Sequence, residues 1–230
     1  KHETGDDSGV VVAPVNLPIH TTNGAAKRVQ PGMNIDPRNL DAGNPNPAEL
    51  LDAGVTWVRF VFKNCDDAQL PGDLSFYETV VYQLRQAGIK VLMVINNESC
   101  PGRPTLEEHH RNRNEWQRLS VWQPYLEKFG VRCRTLAERF AATVSAFQIW
   151  NEPDLDPAPG YDPTLDPQIY GPLLRKAYQA IKAVSDAKVI TAGFVRSTRS
   201  EHTLRRLQRW RLSPPFLVCR LSKDSSGQWR

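Results

Sequence analysis

The chain has 230 residues, 40% of them hydrophobic and 23% charged, enough apolar material for one large domain or two small ones around a sizeable core. Its 18 prolines and 14 glycines fall between periodic segments, which excludes a fibrous or collagen-like chain. No apolar run approaches the roughly 18–20 residues of a membrane helix, so no membrane partner is expected. The formal charge of +4 belongs to the tail: from Arg196 onward nine basic residues face only Glu201 and Asp224, whereas 1–195 carries 20 basic against 23 acidic residues. A nucleic-acid footprint would be built into the fold among base-stacking aromatics, so no nucleic-acid partner is expected and the basic end reads as solvated or disordered. Cys65, Cys100, Cys133 and Cys219 show no Cys-x-x-Cys or His/Cys spacing, and no structural zinc site is expected.

The chain opens on Lys1 with no apolar leader and is expected to start inside a longer product. Residues 1–30 are polar and turn-rich apart from an apolar run at 10–15, and read as an N-terminal linker or remnant. A regular rhythm begins at 33. A short apolar segment at 33–36 is followed by a helical stretch at 47–53 closed by Gly54, which suits a helix C-terminus. Residues 56–62 (TWVRFVF) are β-branched and aromatic, as a buried strand should be. Apolar residues at helical spacing over 74–87 stop at Gly88, and 89–95 (IKVLMVI) is another buried strand. A polar insertion at 96–115 precedes a long helix over 116–144, with Gly130 as a candidate break within it. Strand 147–150 runs into Asn151, and a Pro/Asp-rich loop spans 154–167. Helix 168–184, strand 188–193 and a basic helix over 201–210 complete the pattern, and 213–230 is expected to be a basic, disordered tail.

Apolar strands alternating with helices imply parallel pairing through crossover connections. An open doubly wound sheet and a (β/α)8 barrel both satisfy this. The doubly wound sheet usually carries a Gly-rich turn after its first strand, whereas the turn here is Asp36-Pro37-Arg38-Asn39, with no phosphate-binding loop. Polar residues instead gather after each strand: Asp36, Lys63-Asn64, Asn96-Asn97 and Asn151-Glu152. In a barrel these positions share the C-terminal face, where such enzymes place their chemistry. The barrel is the predicted fold, over 31–212.

At 147–154 the sequence reads FQIWNEPD. This resembles the strand-four signature of the clan A glycoside hydrolases, the retaining (β/α)8 enzymes that include the family 5 cellulases, and the resemblance covers roughly 31–195. It implies that Glu152 is the general acid/base and that Asn151 hydrogen-bonds the substrate's 2-hydroxyl. It also implies that Arg59, on strand two, holds the nucleophile carboxylate. The substrate class implied is a polysaccharide or oligosaccharide, with no cofactor, and the expected location is extracellular or at the cell envelope.

The residue types suit that chemistry. Glycoside cleavage needs one carboxylic acid to protonate the leaving oxygen and a second carboxylate across the bond. Strand parity places Gln148, Trp150 and Glu152 on one face, so Trp150 should lie beneath the Glu152 carboxyl and favour its protonated form, as an acid catalyst requires. Arg59 lies in a strand otherwise apolar on both faces, where a buried guanidinium must find a carboxylate or several carbonyl oxygens. The candidate substrate-binding residues are Asn151, Arg59, Trp150, Asn96 and Tyr161. Trp116, Trp122 and Tyr125 could also stack on sugar, but Trp122, Tyr125 and Phe129 fall at helical spacing and suit helix packing, which leaves Tyr161 as the best platform. The Glu107-Glu108-His109-His110 cluster lacks metal-ligand spacing and reads as a solvated loop.

Three βα units between residues 57 and 189 occupy about 44 residues each, so eight would need roughly 350. The family's strand-seven nucleophile has no counterpart, and the chain reads as an incomplete barrel of five to six units, truncated or carrying a foreign tail. A non-catalytic carbohydrate-binding or vestigial barrel fragment is the alternative function. With its usual partner missing, Arg59 is expected to turn to Glu152, to Asp36 or to water. Cys65 and Cys100 follow adjacent strands on one rim, where a disulfide is geometrically possible and would suit an exported protein, although two reduced thiols are the favoured state.

Overall fold

The computed structural model describes residues 30–38, 46–111, 114–154 and 165–194. Five strands and five α-helices follow one another among these residues, with two helices between the third and fourth strands: β1 Gly32–Asn34, α1 Pro47–Asp52, β2 Trp57–Val61, α2 Leu70–Gln86, β3 Lys90–Ile95, α3 Leu106–Arg111, α4 Glu115–Phe140, β4 Ala146–Ile149, α5 Pro167–Lys182 and β5 Lys188–Ile190. The strands form one sheet in the order β1-β2-β3-β4-β5, and every pairing is parallel. Strand order decides between the two architectures. A doubly wound sheet buries its first strand and reverses direction at a switch point, whereas here each strand pairs with the next in sequence and β1 is at the edge. The sheet is a five-strand sector of a (β/α)8-type barrel.

Local chemistry sets the element ends. Asn46 caps α1 by accepting from the Ala48 N–H at 2.9 Å, and Pro47 opens the helix, where its missing N–H costs nothing. Both α1 and α2 end on a left-handed glycine, Gly54 with φ 74° and Gly88 with φ 76°. In each case the following N–H folds back onto the helix, Val55 to the Leu50 carbonyl and Ile89 to the Leu84 carbonyl, both at 2.9 Å. All four of these residues are buried, so each stop signal also delivers its strand into the core.

The core lies between one face of the sheet and the helices. Val58, Phe60 and Phe62, Val91, Met93 and Ile95, and Phe147 and Ile149 pack against α2, α4 and α5. Tyr77 of α2 stacks on Phe60 and tilts against Phe62, which also meets Phe140 of α4. On the other face, Trp57, Arg59, Val61 and Leu92 are only partly buried, the state of an inner barrel wall whose opposite strands are not among the described residues.

Three local points are decided by the structure. Helix α4 runs unbroken through Gly130; a Cβ there would stand 2.8 Å from Lys176 Cγ of α5, so the glycine serves the close approach of two helices instead of ending one. The polar insertion contains α3, whose Thr105 hydroxyl accepts from the Glu108 N–H while the Glu108 carboxylate accepts from the Thr105 N–H, a reciprocal capping box. Cys65 and Cys100 form no disulfide: Cys65 is exposed, whereas Cys100 and Cys133 are buried, and all three are free thiols. Parallel strands bring the two loops together, but the short helical turn at Asn97–Ser99 carries Cys100 into the core. No described helix is long and apolar enough to cross a membrane. The tail at 213–230 and nearly all of 1–30 lie outside the described residues, as do the basic helix expected at 201–210 and Cys219.

Candidate active site

The C-terminal ends of β1 to β4 converge on one rim. The ends of β2 and β3 are tied to α4 through Arg132, which is 5% exposed. Its guanidinium donates to Asn64 Oδ1 at 2.6 Å, to the Ser99 carbonyl at 2.8 Å and to Asp67 Oδ1 at 2.6 Å. Asn64 in turn donates to Asp73 Oδ2 at 2.7 Å, and Asp73 also receives Arg38 from the loop after β1. Every buried polar group in this network has a partner, as burial demands. Nothing in the sequence periodicity marked it, because its members come from five separate segments.

Lys63, at the end of β2, pairs with Asp36 at 2.6 Å and lies 3.7 Å from Glu98. Hydrogen bonding to Lys63 holds the Asp36 carboxyl below its ordinary value, and the same bond raises the Lys63 ammonium. Asp36 is therefore engaged by Lys63 and not by Arg59.

Arg59 is half-buried on the inner wall and binds three amide oxygens. Its Nε donates to Gln148 Oε1 at 3.0 Å, Nη1 to Asn34 Oδ1 at 3.2 Å and Nη2 to Asn151 Oδ1 at 2.7 Å. The expected ion pair with Glu152 or Asp36 is not formed. Three neutral acceptors engage three of the five guanidinium N–H donors, and Glu152 acts on it through space. Burial lowers the Arg59 value and the Glu152 charge opposes that; the group remains a cation at any physiological pH.

The FQIWNEPD segment departs from strand geometry immediately after β4. Trp150 has φ 70° and Glu152 φ 45°, left-handed conformations that are rare outside glycine and costly for a bulky residue. The first of them ends the alternation of faces. Trp150 is buried on the helix side, its ring centroid 5.9 Å from that of Phe129 on α4, and does not lie beneath Glu152. Asn151 turns to Arg59, and Glu152 is exposed at the rim, its N–H donating to the Gly193 carbonyl at 3.0 Å. Below them Tyr170 of α5 donates to the Ile149 carbonyl at 3.0 Å and accepts from the Ala192 N–H at 2.8 Å, linking β4 to the end of β5.

The other expected residues scatter. Asn96 is buried, and its side chain accepts from the Glu98 N–H at 3.0 Å in a capping box with Ser99. Trp122 and Tyr125 are buried in helix packing, edge to face with each other at 5.7 Å. Tyr161 and the Trp116 side chain lie outside the described residues. Sequence reasoning did not select Asn34 or Gln148 as site residues; the polar Gln148 in an otherwise apolar strand was the available signal. Among the described residues no group of three or more His, Cys, Asp or Glu is arranged to hold a metal ion. A cleft of 310 Å³ opens beside Arg59, lined by Asn34, Trp57 and Leu92 among others.

No family model matches the chain, and no curated protein matches it. Solved structures similar to it include glycoside hydrolases. A GH5-4 broad-specificity endoglucanase from Clostridium longisporum is 15% identical, covering 67% of this chain and 46% of the other at a TM-score of 0.48. Thermotoga maritima Cel5A, solved with cellobiose, is 18% identical over 71% of this chain and 52% of its own, at 0.46. A family 39 glycoside hydrolase from Bacteroides cellulosilyticus is 18% identical over 71% and 32%, at 0.43. The chain thus spans about a third to a half of the length of these structures.

Proposed function

We propose that this chain carries the acid/base half of a retaining O-glycosyl hydrolase acting on a polysaccharide or oligosaccharide. One observation supports it above the others: Glu152 stands exposed at the end of β4, directly after an Asn151 held at 2.7 Å by an arginine from β2, on the rim where the parallel strands end. In this reading the Glu152 carboxylic acid protonates the glycosidic oxygen as it leaves and then, as carboxylate, takes the proton of the water that releases the sugar. Asn151 has its oxygen engaged by Arg59, which points its amide N–H groups toward acceptors such as the sugar 2-hydroxyl oxygen. The nucleophile is a second carboxylate that this chain does not supply, and Arg59 is the residue placed to receive it. Tyr161 serves as a stacking platform and Trp150 as a buried anchor behind the catalytic turn.

A second reading is a non-catalytic carbohydrate-binding fragment, favoured by the finding that, among the described residues, the Arg59 guanidinium bonds three amide oxygens and no carboxylate. Hydrolysis of aryl glycosides separates the two. The 230-residue chain alone is expected to show no appreciable turnover near pH 7, and turnover with the second carboxylate restored should be lost in Glu152→Gln. Turnover that survives Glu152→Gln would overturn the acid/base assignment. Oligosaccharide binding weakened by Asn151→Ala, with no hydrolysis under either condition, would establish the second reading.

A further inference from the structure

A closed ring of hydrogen bonds stands behind the proposed acid/base. Gln148 is 6% exposed and both ends of its amide are engaged: Nε2 donates to the Trp150 carbonyl at 2.9 Å, and Oε1 accepts from Arg59 Nε at 3.0 Å. Arg59 then donates to Asn151 Oδ1 at 2.7 Å. Trp150 and Asn151 share a peptide bond, so the ring closes on the backbone between them.

That backbone is the strained part of the segment. Residues with φ 70° and φ 45° flank Asn151, left-handed conformations that the Cβ of an L-residue disfavours. Such conformations persist only where surrounding contacts over-determine them. The Trp150 ring is held against Phe129, and the Glu152 N–H is held by Gly193. Between these two anchors the Trp150–Asn151 peptide could still rotate, and its carbonyl is the group that Gln148 grips. A glutamate at 148 could accept from Arg59 but, ionised, could not donate to a carbonyl. The amide alone does both.

We infer that Gln148 is a positioning residue: by gripping the Trp150 carbonyl and Arg59 together, it sets the peptide plane that aims Asn151 and Glu152. What is aimed rests on the glycosidase reading, whereas the ring concerns this chain's own hydrogen bonds. The test is NMR on the intact, 15N/13C-labelled chain, following solvent exchange of the Arg59 Nε–H and the carbonyl 13C shift of Trp150. Gln148→Met should speed Arg59 exchange about tenfold or more and move the Trp150 carbonyl signal. Gln148→Glu should leave Arg59 protected and still move the Trp150 signal. Should the methionine variant fail to fold, the glutamate variant decides. Val94→Ala is the control, since Val94 is buried beside Gln148 in the sheet register; it should lower the melting temperature and leave both signals in place. Unmoved Trp150 and Arg59 signals in the Gln148 variants, or equal movement in Val94→Ala, would overturn the inference. The glycosidase reading fails separately, through activity indifferent to Glu152→Gln.

Discussion

Replacing Arg132 by methionine keeps the length and apolar stem of the side chain and removes its three charge-assisted bonds. Two of the acceptors left behind are deeply buried: Asn64 is 1% exposed and Ser99 is fully buried. Each orphaned acceptor costs about 1–3 kcal/mol. The third, Asp67, has a half-exposed carboxylate that keeps Lys128 at 2.6 Å and adds little. Removing a desolvated guanidinium returns part of its burial penalty, but that penalty was already offset by good geometry. The net expectation is a loss of about 2–4 kcal/mol, a large share of the 5–15 kcal/mol typical of a domain. Urea unfolding followed by tryptophan fluorescence and circular dichroism measures it, with Arg132→Lys as a partial rescue that still reaches one or two acceptors. A loss below about 1 kcal/mol, or an Arg132→Lys variant no better than methionine, would refute the view that this network holds the ends of β2 and β3 onto α4.

Burial pushes the Cys100 thiol up to about 11 and the Cys133 thiol well above its ordinary value, so at pH 8 both stay protonated. In a Cys219→Ser background Cys65 alone should react rapidly with a thiol reagent, and mass spectrometry finding Cys100 labelled at the same rate would contradict the core described here. Tyr170→Phe leaves the buried Ile149 carbonyl and Ala192 N–H without their shared partner and should cost about 1–3 kcal/mol in urea unfolding; an unchanged midpoint would refute the link from β4 to β5. Asp36 is depressed in the folded state, so its contribution is present above the ordinary carboxyl value of 3.8 and fades as pH falls through the lower folded value. Lys63 is raised, so its share is complete below 10.5 and is lost as pH rises through the higher folded value. Both groups are about a third exposed and the pair is worth less than about 1 kcal/mol; Asp36→Asn should barely move the pH 7 midpoint, and a large shift would show that the pair is better shielded than this geometry allows.

The sequence by itself determined what depends on neighbours along the chain. Apolar runs at 56–62 and 89–95 became β2 and β3, and Gly54 and Gly88 ended α1 and α2, because strand patterning and helix stops are read within a few residues. The alternation announced parallel strands with crossover helices, the polar residues after each strand favoured the barrel over the doubly wound sheet, and the FQIWNEPD segment announced that Asn151 and Glu152 would leave the end of a strand; the in-line order of the strands was decided by the fold. Tertiary structure decided the rest. Arg59 could be recognised as needing partners, but its choice of Gln148 and Asn151 spans 89 and 92 residues, a separation over which no local pattern carries information. Trp150 obeyed strand parity on paper and broke it in the fold, because packing on Phe129 and the grip on its carbonyl outweigh the cost of one left-handed residue. Gly130, by composition a helix breaker, stays inside α4, where its missing side chain leaves the room that Lys176 of α5 fills. In each case the deciding energy is a contact between distant segments, and it exists only once the chain has folded.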